Sequence, residues 1–229
     1  MFDASQPTST GYSLNDILAK GTNNLNKLQE ILLKWTIQPV AIATDIKKMY
    51  NTVKLEEDHW TYQRYLWHPN LEPGQEPEEK VIKTLIYGIK SSGNQSEYAL
   101  RKVAEMSKEE FPEVNDIIHK EIYVDDCLTG EINHQQAHAR SDELEVVLNR
   151  GGFQVKGVAF SGEEPPSSLS EDKQTIFIAG MKWFVKEDML SLNIGELNFA
   201  KKNRGKKPSH LKNVIPSQLT RRHLSLIHI

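Results

Sequence analysis

Asp125 and Asp126 stand side by side in Ile122-Tyr123-Val124-Asp125-Asp126-Cys127-Leu128. The apolar run Ile117-Ile118-His119-Lys120-Glu121-Ile122-Tyr123-Val124 leads into them, and Cys127-Leu128-Thr129 follows before Gly130. The pattern predicts a β-hairpin with the two aspartates at or near its turn. Aspartate is a common turn residue, so the pair alone is as compatible with a plain turn as with chemistry. A third carboxylate changes the balance. Asp45 closes a similar run, Pro39-Val40-Ala41-Ile42-Ala43-Thr44, eighty residues upstream. Three carboxylates at the ends of adjacent strands would repel one another in a low-dielectric cleft. Divalent cations relieve that repulsion, and Mg²⁺ takes carboxylate, phosphate and water oxygens. Two such ions about 4 Å apart clamp the attacking and leaving oxygens of an in-line displacement. The chemistry these residues point to is two-metal nucleotidyl transfer.

The elements around them must bring the carboxylates together. Ser13-Leu14-Asn15-Asp16 reads as a helix start with Asp at the capping-box position. Leu25, Leu28, Ile31, Leu32 and Trp35 then recur at helical spacing. Trp35 to Thr44 reads as a buried strand delivering Asp45. Trp60–Trp67 and Lys80–Tyr87 are strand-like and are joined by the Pro- and Glu-rich loop Pro69–Glu79, which predicts a hairpin arm. A turn at Gly88-Ile89-Lys90-Ser91-Ser92-Gly93 leads to a helix over about Gln95–Glu109, with Tyr98, Val103 and Met106 inward. After the Asp-Asp hairpin comes a helix over about Asn133–Asn149, with Ala137, Leu144, Val147 and Leu148 inward. Gly151-Gly152 stops it, and Phe153–Phe160 forms a strand. Thr175–Phe184 and Met189–Ile194 read as a second hairpin through Lys186-Glu187-Asp188. Without the arm, the order is β-α-β-β-α-β, the split βαβ or ferredoxin-like arrangement, in which the first and third strands are central neighbours. That topology gathers Asp45, Asp125 and Asp126 at one sheet edge.

Composition sets outer bounds. The 229 residues are 38% hydrophobic and 26% charged, which suits one large globular domain or one with a small annex. No run is long enough to span a bilayer and no basic-then-apolar leader opens the chain, so neither membrane insertion nor secretion is expected. Cys127 is the one cysteine, which excludes an intrachain disulfide and fits a reducing, intracellular setting. It reads as a small apolar packing residue. Net charge is −3, mildly against a nucleic-acid binder, but the charge is uneven. Lys201, Lys202, Arg204, Lys206, Lys207, Lys212, Arg221 and Arg222 fall in one acid-free stretch. Such a run is a solvated tail or a phosphate-binding one. His134 and His138 are spaced i, i+4 as in a zinc protease. Gln135 stands where a catalytic Glu is needed, and no third ligand is visible, so both read as solvent-facing.

With these pieces in place, the chain resembles a reverse transcriptase of the BEL/Pao type of LTR retrotransposon, from Phe2-Asp3-Ala4-Ser5 to about Arg222. Tyr123-Val124-Asp125-Asp126 is similar to the family's YxDD box and is the most specific piece. Thr44-Asp45-Ile46-Lys47-Lys48-Met49-Tyr50 resembles its first palm motif. Leu85-Ile86-Tyr87-Gly88-Ile89-Lys90-Ser91-Ser92 resembles the turn under template and nucleotide, Gly151-Gly152-Phe153-Gln154-Val155-Lys156 the next motif, and Gly180-Met181-Lys182-Trp183 the primer-grip hairpin. The resemblance implies an α+β polymerase palm, a ferredoxin-like βαββαβ core with part of the fingers. It divides the chain into partial fingers over 1–38, palm over 39–160 with a fingers hairpin at about 56–87, and a primer-grip hairpin with basic tail over 161–229.

The same resemblance implies an RNA-directed DNA polymerase. Asp45, Asp125 and Asp126 would carry two Mg²⁺ ions, with Mn²⁺ as a substitute. Tyr50 would be the ribose gate. Tyr87, Gly88 and Tyr123 would lie near nucleotide and template, and Lys156 near the pyrophosphate. The implied partners are an RNA template, a DNA primer, dNTP, and the thumb, RNase H and integrase parts of a polyprotein. The implied location is a cytoplasmic virus-like particle. Three departures stand out. Tyr87 occupies a position where retroviral relatives have Gln. Gly93 stands where the family has Pro. The family's basic triphosphate-binding residues precede Phe-Asp-Ala-Ser, where this chain opens. The expectation is therefore weak or no activity for this stretch alone. Three rival readings stay open: a decayed or repurposed palm that binds nucleic acid without catalysis, a palm-type nucleotide cyclase, and an ordinary ferredoxin-like domain with turn aspartates.

Overall fold

The computed structural model describes residues 3–69, 74, 76–172, 174–192, 219 and 220. The basic stretch from Lys201 to Arg222 falls outside them apart from Leu219 and Thr220. The described chain is α+β with antiparallel pairing, and it divides into two compact units. The first comprises Met1–Leu25, Ile46–His119 and Leu144–Gln154; the second comprises Asn26–Asp45, Lys120–Glu143 and Val155–Ile229.

In chain order the elements are α1 (Leu14–Ile17), α2 (Leu28–Ile37), β1 (Val40–Lys47) and α3 (Met49–Thr52). A 3-10 helix over Glu57–Gln63 leads to β2 (Arg64–Trp67) and β3 (Glu78–Val81). Then come α4 (Ser92–Met106), α5 (Pro112–Lys120), β4 (Ile122–Tyr123), β5 (Asp126–Glu131), α6 (His134–Arg150) and β6 (Gln154–Phe160). The chain continues through β7 (Thr175–Ile178), β8 (Met181–Phe184), β9 (Met189–Leu192) and β10 (Leu219–Thr220).

The second unit is built on a four-stranded sheet of order β4-β5-β1-β6. The first and third strands of the expected series, β1 and β5, are indeed the central neighbours. They pair antiparallel from Val40↔Glu131 to Asp45↔Asp126. Side chains alternate across a strand, so the two faces are easily separated. Val40 and Ile42 pack with Ala137 and Phe160 on one face. Ala41, Ala43, Leu128 and Ala159 pack on the other with Ile31 and Trp35 of α2 and with Ile176, Ile178, Met181 and Trp183 of the second sheet. That sheet has the order β10-β9-β8-β7. At its centre Trp35 and Trp183 meet edge to face, with centroids 4.9 Å apart, and neither is exposed. Trp35 Nε1 also donates to the Ile42 carbonyl at 3.0 Å, tying α2 to β1. Gly130, paired with Ala41 within β5, is required by a close approach, since a Cβ there would lie 2.5 Å from Gln38 Cβ.

In the first unit, the capping box at Ser13 is present. Ser13 Oγ accepts from the Asp16 N–H, and the Asp16 carboxylate accepts from the Ser13 N–H at 2.9 Å. The arm is a two-stranded sheet, Arg64↔Val81 to Trp67↔Glu78. Gln63 is buried and its Nε2 donates to the Ile82 and Thr84 carbonyls.

Several expectations need correction. Trp35–Thr44 is not one strand: α2 runs on to Ile37 and β1 starts at Val40, so Asp45 lies within the strand and not at its end. The approach to the Asp-Asp hairpin is largely helical, because Pro112 suits a first helical position and Val114, Ile117 and Ile118 then form one buried stripe. Half of Trp60–Trp67 is 3-10 helix, and Lys80–Tyr87 is strand only to Val81, followed by an isolated bridge between Lys54 and Thr84. Tyr98 and Met106 face solvent; α4 buries Ser96, Glu97, Leu100 and Ala104 instead, with Glu97 paired to Arg101 at 2.8 Å. Leu25 is exposed and precedes α2. The second hairpin is three strands, because Ala179-Gly180 turns the chain between β7 and β8. Both have positive φ, 47° and 81°, as a type I′ turn requires.

The Trp pair yields a stability prediction. Trp183→Ala removes a fully buried indole and is expected to destabilise the fold by about 3–5 kcal/mol, read from urea unfolding. Trp183→Phe keeps an aromatic edge and should cost clearly less.

Candidate functional site

The register of β1 against β5 sets the site. Asp45 and Asp126 are direct cross-strand partners, so their side chains leave the same face of the sheet. Asp125 occupies the two-residue loop joining β4 to β5, where Tyr123 pairs with Asp126. The other loop residue, Val124, has φ 58°. That left-handed value is rare for a β-branched residue and costs on the order of 1–3 kcal/mol. The hairpin holds Asp125 beside its neighbours at this expense.

Burial and like charge act together on the cluster. Burial pushes the Asp45 carboxyl up, the Asp125 charge pushes it further, and Lys156 opposes both. Asp126 is raised to about 6, again first by burial and then by Asp125, with Asp45 adding to it. The Ala179 N–H donates to Asp126 and pulls the other way. The β7–β8 turn therefore reaches the carboxylates through its backbone. A cavity of about 230 Å³ opens here, with Asp45, Asp126 and Lys156 as its charged lining and Leu128, Leu169 and Ile176 among its apolar walls.

The other expected site residues are distributed as follows. In the primer-grip segment, Met181 and Trp183 point into the core, while Lys182 is partly exposed and stands over the Phe184 ring at 5.2 Å. Tyr123 is half-buried and packs on the core of the second unit. Tyr50 and Tyr87 belong to the first unit, where their rings meet edge to face with centroids 4.4 Å apart. Gly88 has φ 91° in the turn beside Tyr87. Asn15 secures that turn: its Nδ2 donates to the Gly88 carbonyl at 2.9 Å and its Oδ1 accepts from the Lys90 N–H at 2.8 Å. Cys127 is fully buried, and burial drives its thiol pKa up, as a packing residue requires.

Sequence reasoning missed two contributors. The Ala179 N–H was hidden inside a presumed continuous strand, although Ala-Gly between two apolar runs is a readable turn signal. Asn15 was hidden because its partners lie more than seventy residues away.

No protein-family model matches the chain, and no match is found among curated proteins.

The Asp126 shift has a definite sign for stability. With its folded value near 6 and its ordinary value 3.8, the folded state holds the extra proton between those pH values. This group's contribution to stability is therefore greatest below about pH 4 and is lost as pH rises through about 6. Asp126→Asn, which can still accept from Ala179, is expected to raise Tm at pH 7 and to change it far less at pH 4, by thermal melts of metal-free protein.

Proposed function

We propose that the chain is the palm of an RNA-directed DNA polymerase from a BEL/Pao-type retrotransposon polyprotein, acting by two-metal nucleotidyl transfer to a primer 3′-OH. The observation that carries this reading is the cross-strand pair Asp45 and Asp126 with Asp125 in the adjoining turn. Like charges placed directly opposite one another in a sheet are destabilising. A sheet that keeps such a pair, both with raised pKa and with a third carboxylate in the adjoining turn, supports the reading of a cation site. The donor set is hard and all-oxygen, which fits Mg²⁺. Asp45, Asp125 and Asp126 would hold the ions, which when bound supply charge neutralisation at the transferring phosphoryl group.

Further support comes from the strand order, which is that of a ferredoxin-like palm, and from the strained Val124. Lys156, which shares the cavity with Asp45 and Asp126, would balance phosphate charge. Tyr50, braced edge-on by Tyr87 within the first unit, is the aromatic residue to which this reading assigns discrimination of the sugar. RNA template, DNA primer and dNTP are the partners this reading requires.

Primer extension on poly(rA)–oligo(dT) tests it. Slow Mg²⁺-dependent incorporation of dTMP is expected, and Asp125→Asn should lower it by about a hundredfold or more. Incorporation unchanged in Asp125→Asn, or no Mg²⁺-dependent binding of primer–template, would refute the proposal.

A further inference from the structure

A second set of potential ligands lies on the other face of the sheet. Asn133 caps α6 by accepting the Gln136 N–H at 2.9 Å, which orients the first two turns. His134 and His138 then project one turn apart from the same side. Between them is Ala137, which packs on Val40, Ile42 and Phe160, the face opposite Asp45. His138 lies against the Phe160 ring, with centroids 4.1 Å apart. The third group is Glu163, in the loop that follows β6. That loop is fixed by its backbone: the Gly162 N–H donates to the Val185 carbonyl at 2.9 Å and the Glu163 N–H to the Phe160 carbonyl at 3.1 Å. One carboxylate oxygen, Glu163 Oε1, lies 2.9 Å from His134 Nδ1 and 2.9 Å from His138 Nε2. One ligand atom from each of the three residues lies within 4.8 Å of the others.

We propose that His134, His138 and Glu163 form a binding site for a borderline divalent transition-metal ion of the Zn²⁺ type. The spacing that sequence alone reads as two solvent-facing histidines gains its missing third ligand from Glu163, 25 residues beyond His138. Zn²⁺ bonds of about 2.0–2.2 Å to imidazole nitrogen and carboxylate oxygen place ligand atoms closer together than 4.8 Å, so closure needs only small side-chain rotations. Two imidazoles and one carboxylate suit Zn²⁺, Co²⁺ or Ni²⁺ and are a poor set for Mg²⁺. On binding, each neutral imidazole carries its proton on its other ring nitrogen, and the two hydrogen bonds to Oε1 give way to coordination. All three side chains are partly exposed, so the remaining coordination positions are open to water. The bound ion pins the first turns of α6 to the loop after β6. The partial positive charge at the helix start opposes a cation, and the Glu163 charge must offset it.

The test is metal titration of the full chain after chelator treatment, using Co²⁺ alone and then Zn²⁺ as competitor. One equivalent of Co²⁺ with visible absorption, displaced by Zn²⁺, is expected, together with a Zn²⁺-dependent rise in Tm. His138→Asn and Glu163→Gln should each weaken Zn²⁺ by about tenfold or more, with unchanged far-UV circular dichroism in the absence of metal. Asp125→Asn should leave Zn²⁺ affinity unaltered, which separates this site from the carboxylate cluster. Zn²⁺ binding that survives both His138→Asn and Glu163→Gln, or no stoichiometric binding, overturns the proposal.

Discussion

The second unit is arranged around an unfavourable contact. Asp45 and Asp126 face each other across a β-ladder whose register the core dictates. Ala41, Ala43 and Leu128 are buried on the same face and lock β1 and β5 together. A slip of one residue would bring Ile42 and Thr44 to that face and expose the apolar set. The apolar core therefore holds the carboxylates together against their mutual repulsion, and the Trp35–Trp183 contact anchors that core. Lys156 offsets part of the repulsion at Asp45 and the Ala179 N–H part of it at Asp126, while burial first and the Asp125 charge second keep both carboxyls above their ordinary range.

Two faces of one sheet carry different potential chemistries. The face toward α2 and the second sheet collects hard carboxylate oxygens. The face toward α6 collects two imidazoles and a single carboxylate. Hard and borderline ligands sort different ions, so the two sets need not compete. In the first unit, Tyr50 and Tyr87 form a third feature, an aromatic pair beside a turn held by Asn15.

Much of the carboxylate cluster was legible in the sequence because its elements are short, apolar and punctuated. The β-α-β-β-α-β alternation put the first and third strands together, and β1 beside β5 follows. The stop signal at Gly151-Gly152 and the inward set Ala137, Leu144, Val147 and Leu148 also hold. What was not legible has physical causes. Ile117 and Ile118 fit strand and helix equally well, and Pro112, five residues upstream of Ile117, decided for helix. The inner face of α4 sets Ser92, Ser96 and the ion-paired Glu97 beside Leu100 and Ala104, and the polarity of the first three hides its burial. Asp45 lies within β1 because the strand runs on through the buried Ile46 to Lys47. Glu163 joins His134 and His138 only through a loop geometry that no local spacing encodes.

The central claim is that Asp45, Asp125 and Asp126 form a cluster that requires a cation. The most direct measurement is a ¹³C NMR pH titration of the aspartate carboxyl carbons with and without Mg²⁺. The account predicts that Asp126 titrates at about 6 in metal-free protein and well below that when Mg²⁺ is present. An Asp126 that titrates like an exposed carboxylate and does not respond to Mg²⁺ would contradict it.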